Sequence, residues 1–410
     1  MTKTTGNFTD FLDFSRASTA TYLGSDGLIK TASNNVPRVE YDADGNVKGL
    51  LIEEQRTNVV AYSEATSFWT EDGTATITNS TQIAPDGTAS ATLVDIGSTG
   101  SSLGPNRIAR FNSGLSASTK VTVSVFLKKP DTDAASYINV RLYCSGATAT
   151  DMYVDYDTSD FTSVNNSNVV DTIHASEDYG NGWFRVSFTG TLNASATGST
   201  NFRVGGVVSG SHTSTGTDFI MWGAQVETGS FATSYIPTTG ATASRSRDIA
   251  EISVDNFGYN NQAASVLVEF SAYSWADRTD SGSFNRIWEF AGGSPSSNAD
   301  GIFRDPAGII TDEVRYRFNE DDGTTAALGA ANLDRVTGTH KVCVALGQDD
   351  AAICMDGGTV ATGSGTAAMT LYTGIEFGGD SNQTALGGHI KSFQYYPRRL
   401  TNAQLQELTS

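Results

Sequence analysis

Short alternations of apolar and polar residues, cut by clusters of turn formers, constrain this chain more than any other feature. They run over residues 120–127, 137–143, 151–156, 182–188 and 218–227, with Gly, Asn, Asp and Ser gathered between them. A period of two buries one face of a strand and cannot form the apolar stripe of a helix. Gly is abundant at 42 residues and Pro sparse at 8, which suits many strands joined by tight turns. The predicted fold class is therefore all-β. A length of 410 residues predicts two or three domains, and 38% hydrophobic residues is ordinary for a folded chain. No repeat of 20–50 residues appears, which disfavours solenoids and propellers.

The alternation divides the chain. Residues 59–240 read as one antiparallel sandwich, 241–248 as a polar linker and 249–410 as a second sandwich. Residues 1–58 hold turn signals at Asp26-Gly27 and Asp44-Gly45 and short strand-like runs. They look too small and polar for a core of their own, so they are expected to pack on a neighbouring subunit or a larger particle; the alternative is a mere N-terminal extension of the next domain. In the second sandwich, 340–346 and 351–355 flank a turn and read as a hairpin. Folding about that turn sets Val342 opposite Met355, Val344 opposite Ile353 and Cys343 opposite Cys354. A cross-strand disulfide is possible there; two adjacent thiols are the expectation for synthesis in a cytoplasm. Near the end, Thr401 is a candidate N-cap for a short helix whose Leu405 and Leu408 share an apolar side.

The formal net charge is -19. Such a chain repels phosphate backbones and anionic membranes, so neither nucleic acid nor membrane insertion is expected. It also disfavours a highly anionic polysaccharide unless a cation or a local arginine cluster intervenes. Met-Thr-Lys-Thr-Thr-Gly at the start has no apolar core of a signal peptide, and no segment reaches membrane-spanning length.

The strongest site signal lies in 137–143. Ile138, Val140 and Leu142 share one face and read as core. Tyr137, Asn139, Arg141 and Tyr143 share the other, and Tyr153, beside Asp155 on a neighbouring candidate strand, extends it. Sugars offer C–H faces that stack on aromatic rings and a rim of hydroxyls that suits amides and guanidiniums. The alternative is that the tyrosines pack under a loop or against another subunit. Trp183 and Trp222 sit in dense apolar company and read as core. Arg315 and Arg317 alternate with apolar residues and either bind an anionic sugar or offset nearby acidic residues.

Asp72-Gly73, Asp86-Gly87, Asp321-Asp322-Gly323, Asp380 and Asn382 could supply oxygen ligands to a structural calcium, although Asx-Gly is also ordinary turn chemistry; no cofactor is expected. Catalysis is not expected either. No strand carries the Glu-x-Asp-x-x-Glu pattern of a retaining glycanase; Asp155 and Asp157 alternate but lead into a turn, and no nucleophile elbow, His-Glu-x-x-His or P-loop is present.

A second signal comes from the opening of the chain. Phe-Ser-Arg-Ala-Ser-Thr-Ala-Thr-Tyr over 14–22, Asp-Gly-Leu-Ile-Lys over 26–30, Asn-Val-Pro-Arg over 35–38 and Gly-Leu-Leu-Ile-Glu-Glu-Gln-Arg-Thr-Asn over 49–58 resemble the N-terminal segment of phage virion fibre and spike proteins. Pro85–Ser90, Trp222–Glu227 and 232–238 resemble the jelly-roll modules of the same proteins, which are similar to carbohydrate-binding modules. The stretch from His389 to Leu400 and the helix after it resemble the concanavalin-A-like and laminin-G-like family. The resemblance implies a short attachment or oligomerisation segment over 1–58, with Arg16, Tyr22, Pro37, Arg38, Glu53, Glu54, Arg56 and Asn58 as its motif. A carbohydrate-binding-module-like jelly roll and a concanavalin-A-like sandwich follow. It implies a homotrimeric, non-catalytic fibre or spike subunit, head- or tail-mounted on the virion surface and made in the host cytoplasm. Its partners would be other virion proteins and host surface polysaccharide. The rival readings are a purely structural decoration protein and a polysaccharide depolymerase.

Overall fold

The computed structural model describes residues 8–64, 66–97, 107–112, 115–144, 152–167, 173–196, 200–209, 212–273, 285–291, 301–304, 313–319, 325–332, 338–363, 372–378 and 386–410. These are mostly strand, with one α-helix, Asn402–Thr409, among them. The fold class is all-β, built from two tandem antiparallel sandwiches.

The first sandwich packs two six-stranded sheets face to face. One runs in the order Ser163–Ser167, Met152–Asp157, Tyr137–Cys144, Thr200–Gly206, Arg107–Asn112, Thr70–Asp72; the other in the order Ile173–Asp178, Trp183–Thr191, Lys120–Lys128, Asp218–Thr228, Ala91–Asp95, Thr76–Gln82. The alternation explains the packing. Ile138, Val140, Leu142, Phe202 and Val204 turn inward from the first sheet to meet Val121, Val123, Val125, Phe188 and Met221 from the second.

The second sandwich uses residues from both ends of the chain. Asp13–Ser15 forms the edge of one seven-stranded sheet by pairing with Ile249–Ser253. Val47–Ile52 pairs with Gly388–Tyr396 in the other, with Val39–Tyr41 beyond it. Leu50 and Ile52 thereby enter the same core as Val266, Phe270, Trp288 and Val344. Gly49 (φ 129°) is required by this docking: a Cβ there would lie 2.6 Å from the Ile390 carbonyl oxygen. The opening segment is thus not a separate appendage. It has no core of its own, as its size suggests, because it completes the core of residues 249–410.

The segment also covers the first sandwich. Leu23 and Ile29, from the hairpin Ala20–Leu23/Ile29–Ala32, pack with Phe126, Trp183, Trp222 and Tyr235 on the outer face of the second six-stranded sheet. The polar stretch 241–248 is likewise ordered, with Ala243–Arg245 pairing to Arg56–Asn58.

The predicted hairpin has the expected register, with Val342 opposite Met355 and Cys343 opposite Cys354. Its valines face the sandwich core, and its cysteines face Leu400 and Leu405 under the terminal helix. Thr401 caps that helix in a capping box with Gln404. All three cysteines are buried free thiols, and burial, reinforced by Cys354, pushes the Cys343 thiol up to about 12. A thiol reagent at pH 8 is therefore expected to leave the native chain essentially unlabelled and to titrate all three cysteines once it is unfolded. Rapid native labelling of Cys343 or Cys354 would show that the terminal helix does not stay docked over the pair.

Candidate functional site

Two polar clusters, one closed and one open, dominate the structure. The closed cluster gathers the motif residues of the opening segment. Arg38 and Glu53 are 0% exposed, and Arg16, Arg245 and Asp248 are 1% exposed. Asp248 accepts from Arg16 Nη1 at 3.1 Å, Arg38 Nη2 at 2.5 Å and the Glu53 amide at 2.9 Å. Glu53 accepts from the Ser234 amide and hydroxyl at 2.6 and 2.7 Å and lies 2.9 Å from both Arg38 Nη2 and Arg245 Nη1. Burial alone would raise the Glu53 pKa. The charges of Arg245 and Arg38 and the Ser234 hydrogen bonds reverse that and bring it to about 2.

The remaining motif residues are used inside the chain as well. Asn58 is buried, donating to the Ala224 and Ile236 carbonyls. Arg56 pairs with Glu54, donates to the Thr228 carbonyl and lies over the Phe231 ring. Tyr22 and Pro37 are half-buried in the same segment. The expectation that this motif contacts a particle needs correction for Arg16, Arg38, Glu53 and Asn58. Their side chains have no surface to offer, and their hydrogen bonds join the opening segment, the end of the first sandwich and the stretch before the second.

The open cluster is the outer face of the first six-stranded sheet. Antiparallel register sets Arg141 between Tyr153 and Arg203, and Asn139 between Asp155 and Gly205, with Arg107 beyond Gly205. Tyr143 stands beside Asn201. All these side chains point away from the core, since their neighbours Ile138, Val140, Leu142, Phe202 and Val204 point into it. Tyr137, Arg141 and Tyr143 are half-buried, whereas Asn139, Tyr153 and Asp155 are buried. Asn139 donates to Asp155 at 2.6 Å. The Arg203 guanidinium lies 3.9 Å from the centre of the Tyr143 ring, and Arg141 lies 5.9 Å from Tyr143 and 5.8 Å from Tyr153.

The five predicted residues therefore stand on one sheet face, with Asn139 and Tyr153 buried in it. Sequence reasoning missed Arg107, Asn201 and Arg203. The alternation of Asn201, Phe202, Arg203 and Val204 is a strand signal that was not picked out, and nothing local says that it lies beside Tyr137–Cys144. Trp183 and Trp222 are core residues. The side chains of Arg315 and Arg317, and all of Asp321–Gly323, Asp380 and Asn382, lie outside the described residues.

A third place has the look of catalytic geometry. Lys48 Nζ lies 3.4 Å from Glu40 and 2.8 Å from Glu177, so these carboxylates are close neighbours beside a small cavity of about 120 Å³ lined also by Tyr179, Arg185 and Tyr273. The pair is spent on internal contacts. Burial would raise Glu40, yet the hydrogen bond with His389 at 2.7 Å and the Lys48 charge hold it well below the usual carboxylate range. A carboxyl so held stays ionised near neutral pH, unlike a general acid, whose pKa lies near the working pH. Among the described residues, no group of three or more His, Cys, Asp or Glu is placed to hold a metal ion, and no helix is long and apolar enough to cross a membrane.

No family model and no curated protein matches the chain. Solved structures similar to it include the CBM40 of the Ruminococcus gnavus IT-sialidase (17% identity, 36% of this chain and 83% of that one, TM-score 0.28). Another is domains LG4-5 of the mouse laminin alpha1 chain (11% identity, 70% and 87%, TM-score 0.26). A third is Trypanosoma rangeli sialidase (10% identity, 78% and 60%, TM-score 0.30). At these scores no residue role is carried from them to this chain.

Proposed function

We propose that this protein is a non-catalytic glycan-binding subunit of a virus particle, a fibre or spike that adsorbs to host surface polysaccharide. One observation carries the binding half of this reading: the open sheet face, where tyrosine rings, guanidiniums and amides alternate over a rigid sandwich. The opposite outer face of the same sandwich is covered by the opening segment, whereas Tyr137, Arg141 and Tyr143 on this face keep part of their surface exposed. The virion half rests on the sequence resemblance of the opening segment. Since Arg16, Arg38, Glu53 and Asn58 are buried, particle contacts would come from the half-buried motif residues and from exposed turns such as 33–36. A homotrimer would multiply weak single-site binding through avidity.

The test is retention of the full chain on an array of surface polysaccharides, beside a Tyr137→Ala/Arg141→Ala/Tyr143→Ala variant with an unchanged melting curve. Loss of at least about tenfold in binding is expected, because stacking and charge-assisted hydrogen bonds are removed together. Equal retention by both chains would remove this face from the reading and favour a purely structural role.

A further inference from the structure

The glycan reading leaves the ligand's charge open, and the composition of the face speaks to it. In a chain of net charge -19, three guanidiniums converge on one sheet face. Arg203 and Arg141 are directly opposed across two paired strands, and Arg107, opposite Gly205, sits two positions along from them. Gathering like charges is unfavourable, and it shows. Burial first, then the charges of Arg107 and Arg141, depress Arg203 to about 10; Arg141 is lowered by burial and by Arg107. A neutral sugar gives no reason for this grouping.

Two carboxylates stand near the three guanidiniums among the described residues. Asp72 lies 3.1 Å from Arg107 Nε at the sheet margin, and Asp155 is buried and takes the Asn139 amide. Arg203 instead rests on the Tyr143 ring, and its buried Nε has no hydrogen-bond partner among the described residues. Beside it, Asn201 is only 7% exposed, and among the described residues its Oδ1 lacks a partner. A buried amide oxygen without a donor is costly and points to a group supplied from outside.

We propose that this face binds an anionic sugar residue, its carboxylate held by Arg203 and Arg141 and a neighbouring hydroxyl donating to Asn201 Oδ1. The proposal rests on the glycan reading of the same face and narrows it to acidic glycans. A planar guanidinium fixed on an aromatic ring is prepared for bidentate capture of a carboxylate, which a flexible lysine would not be. This is the local arginine cluster that lets an acidic protein approach an acidic polymer.

The experiment uses the full chain on uronic-acid and sialylated oligosaccharides, each paired with its carboxyl-reduced or desialylated counterpart, and sulfated oligosaccharides as a further arm. Binding to one or more carboxylated members is expected, about 10- to 100-fold tighter than to the neutral partner and weakening as salt rises from about 0.05 to 0.5 M. Arg203→Gln is expected to remove most of that preference with an unchanged melting curve, and Arg141→Gln is the second variant should the first misfold. Equal binding of acidic and neutral members, unaffected by Arg203→Gln but lost with the tyrosines, would overturn the charge proposal and leave the glycan reading standing. A preference for sulfated over carboxylated members would overturn the carboxylate assignment. Retention of no oligosaccharide at all would overturn both.

Discussion

Replacing Asp248 by alanine is expected to destabilise the protein by about 3–5 kcal/mol, a large part of the total stability of a typical domain. The reason is not the loss of attraction alone. Asp248 is the acceptor for Arg16 and Arg38, both sealed from water, and for the Glu53 amide. Its removal leaves Arg16 with carbonyl acceptors at Ser33 and Val36 but no carboxylate, and it leaves three buried arginines against Glu53. Asparagine should be nearly as damaging, because it restores the shape and not the charge. Glu177→Ala, which removes the half-exposed partner of Lys48, should cost under about 1 kcal/mol. Urea unfolding followed by tryptophan fluorescence would measure the series. The network joins three segments, so a separate early transition is also expected in the Asp248 variants, from sandwiches no longer coupled. A loss below about 1 kcal/mol for Asp248→Ala would show that the cluster is not the joint described here.

This joint is also where sequence reading reached its limit. A strand and its register are local properties, so the hairpin at Cys343 and Cys354, the cap at Thr401 and the two faces of 137–143 were all legible from alternation and turn chemistry. Strand order is not local. Thr200–Gly206 lies beside Tyr137–Cys144 across most of the sandwich sequence, and Arg203 and Asn201 came to the site unannounced. The opening segment misled for a different reason. Its strands are three to six residues long and rich in charge, and charge is usually a sign of exposure. Here Arg16, Arg38 and Glu53 are interior because Asp248 and Arg245, some two hundred positions away, compensate them. The runs around residues 14–58, 222–238 and 245–248 looked like separate signals; in space they are parts of one polar core.

The same core predicts how acid should act. The Glu53 carboxyl sits at about 2 in the folded chain against an ordinary value of 4.5, a depression that corresponds to about 3 kcal/mol of stability. That contribution is complete above pH 4.5, where the carboxylate is ionised in both the folded and unfolded chains. It is lost progressively as pH falls from 4.5 toward 2, because the unfolded chain takes up the proton first. Glu40, held low by His389 and Lys48, acts in the same direction at the neighbouring contact. The wild-type urea midpoint should therefore fall steeply between pH 5 and 2. The emission of Trp222, which packs 4.7 Å from Tyr235 between the first sandwich and the opening segment, should report the change. Glu53→Gln should already be weakened by a comparable amount at pH 7 and should lose much less over the same interval. Parallel pH profiles for the two proteins would mean that the depression of Glu53 is not what acid releases, and that the joint fails through some other carboxylate.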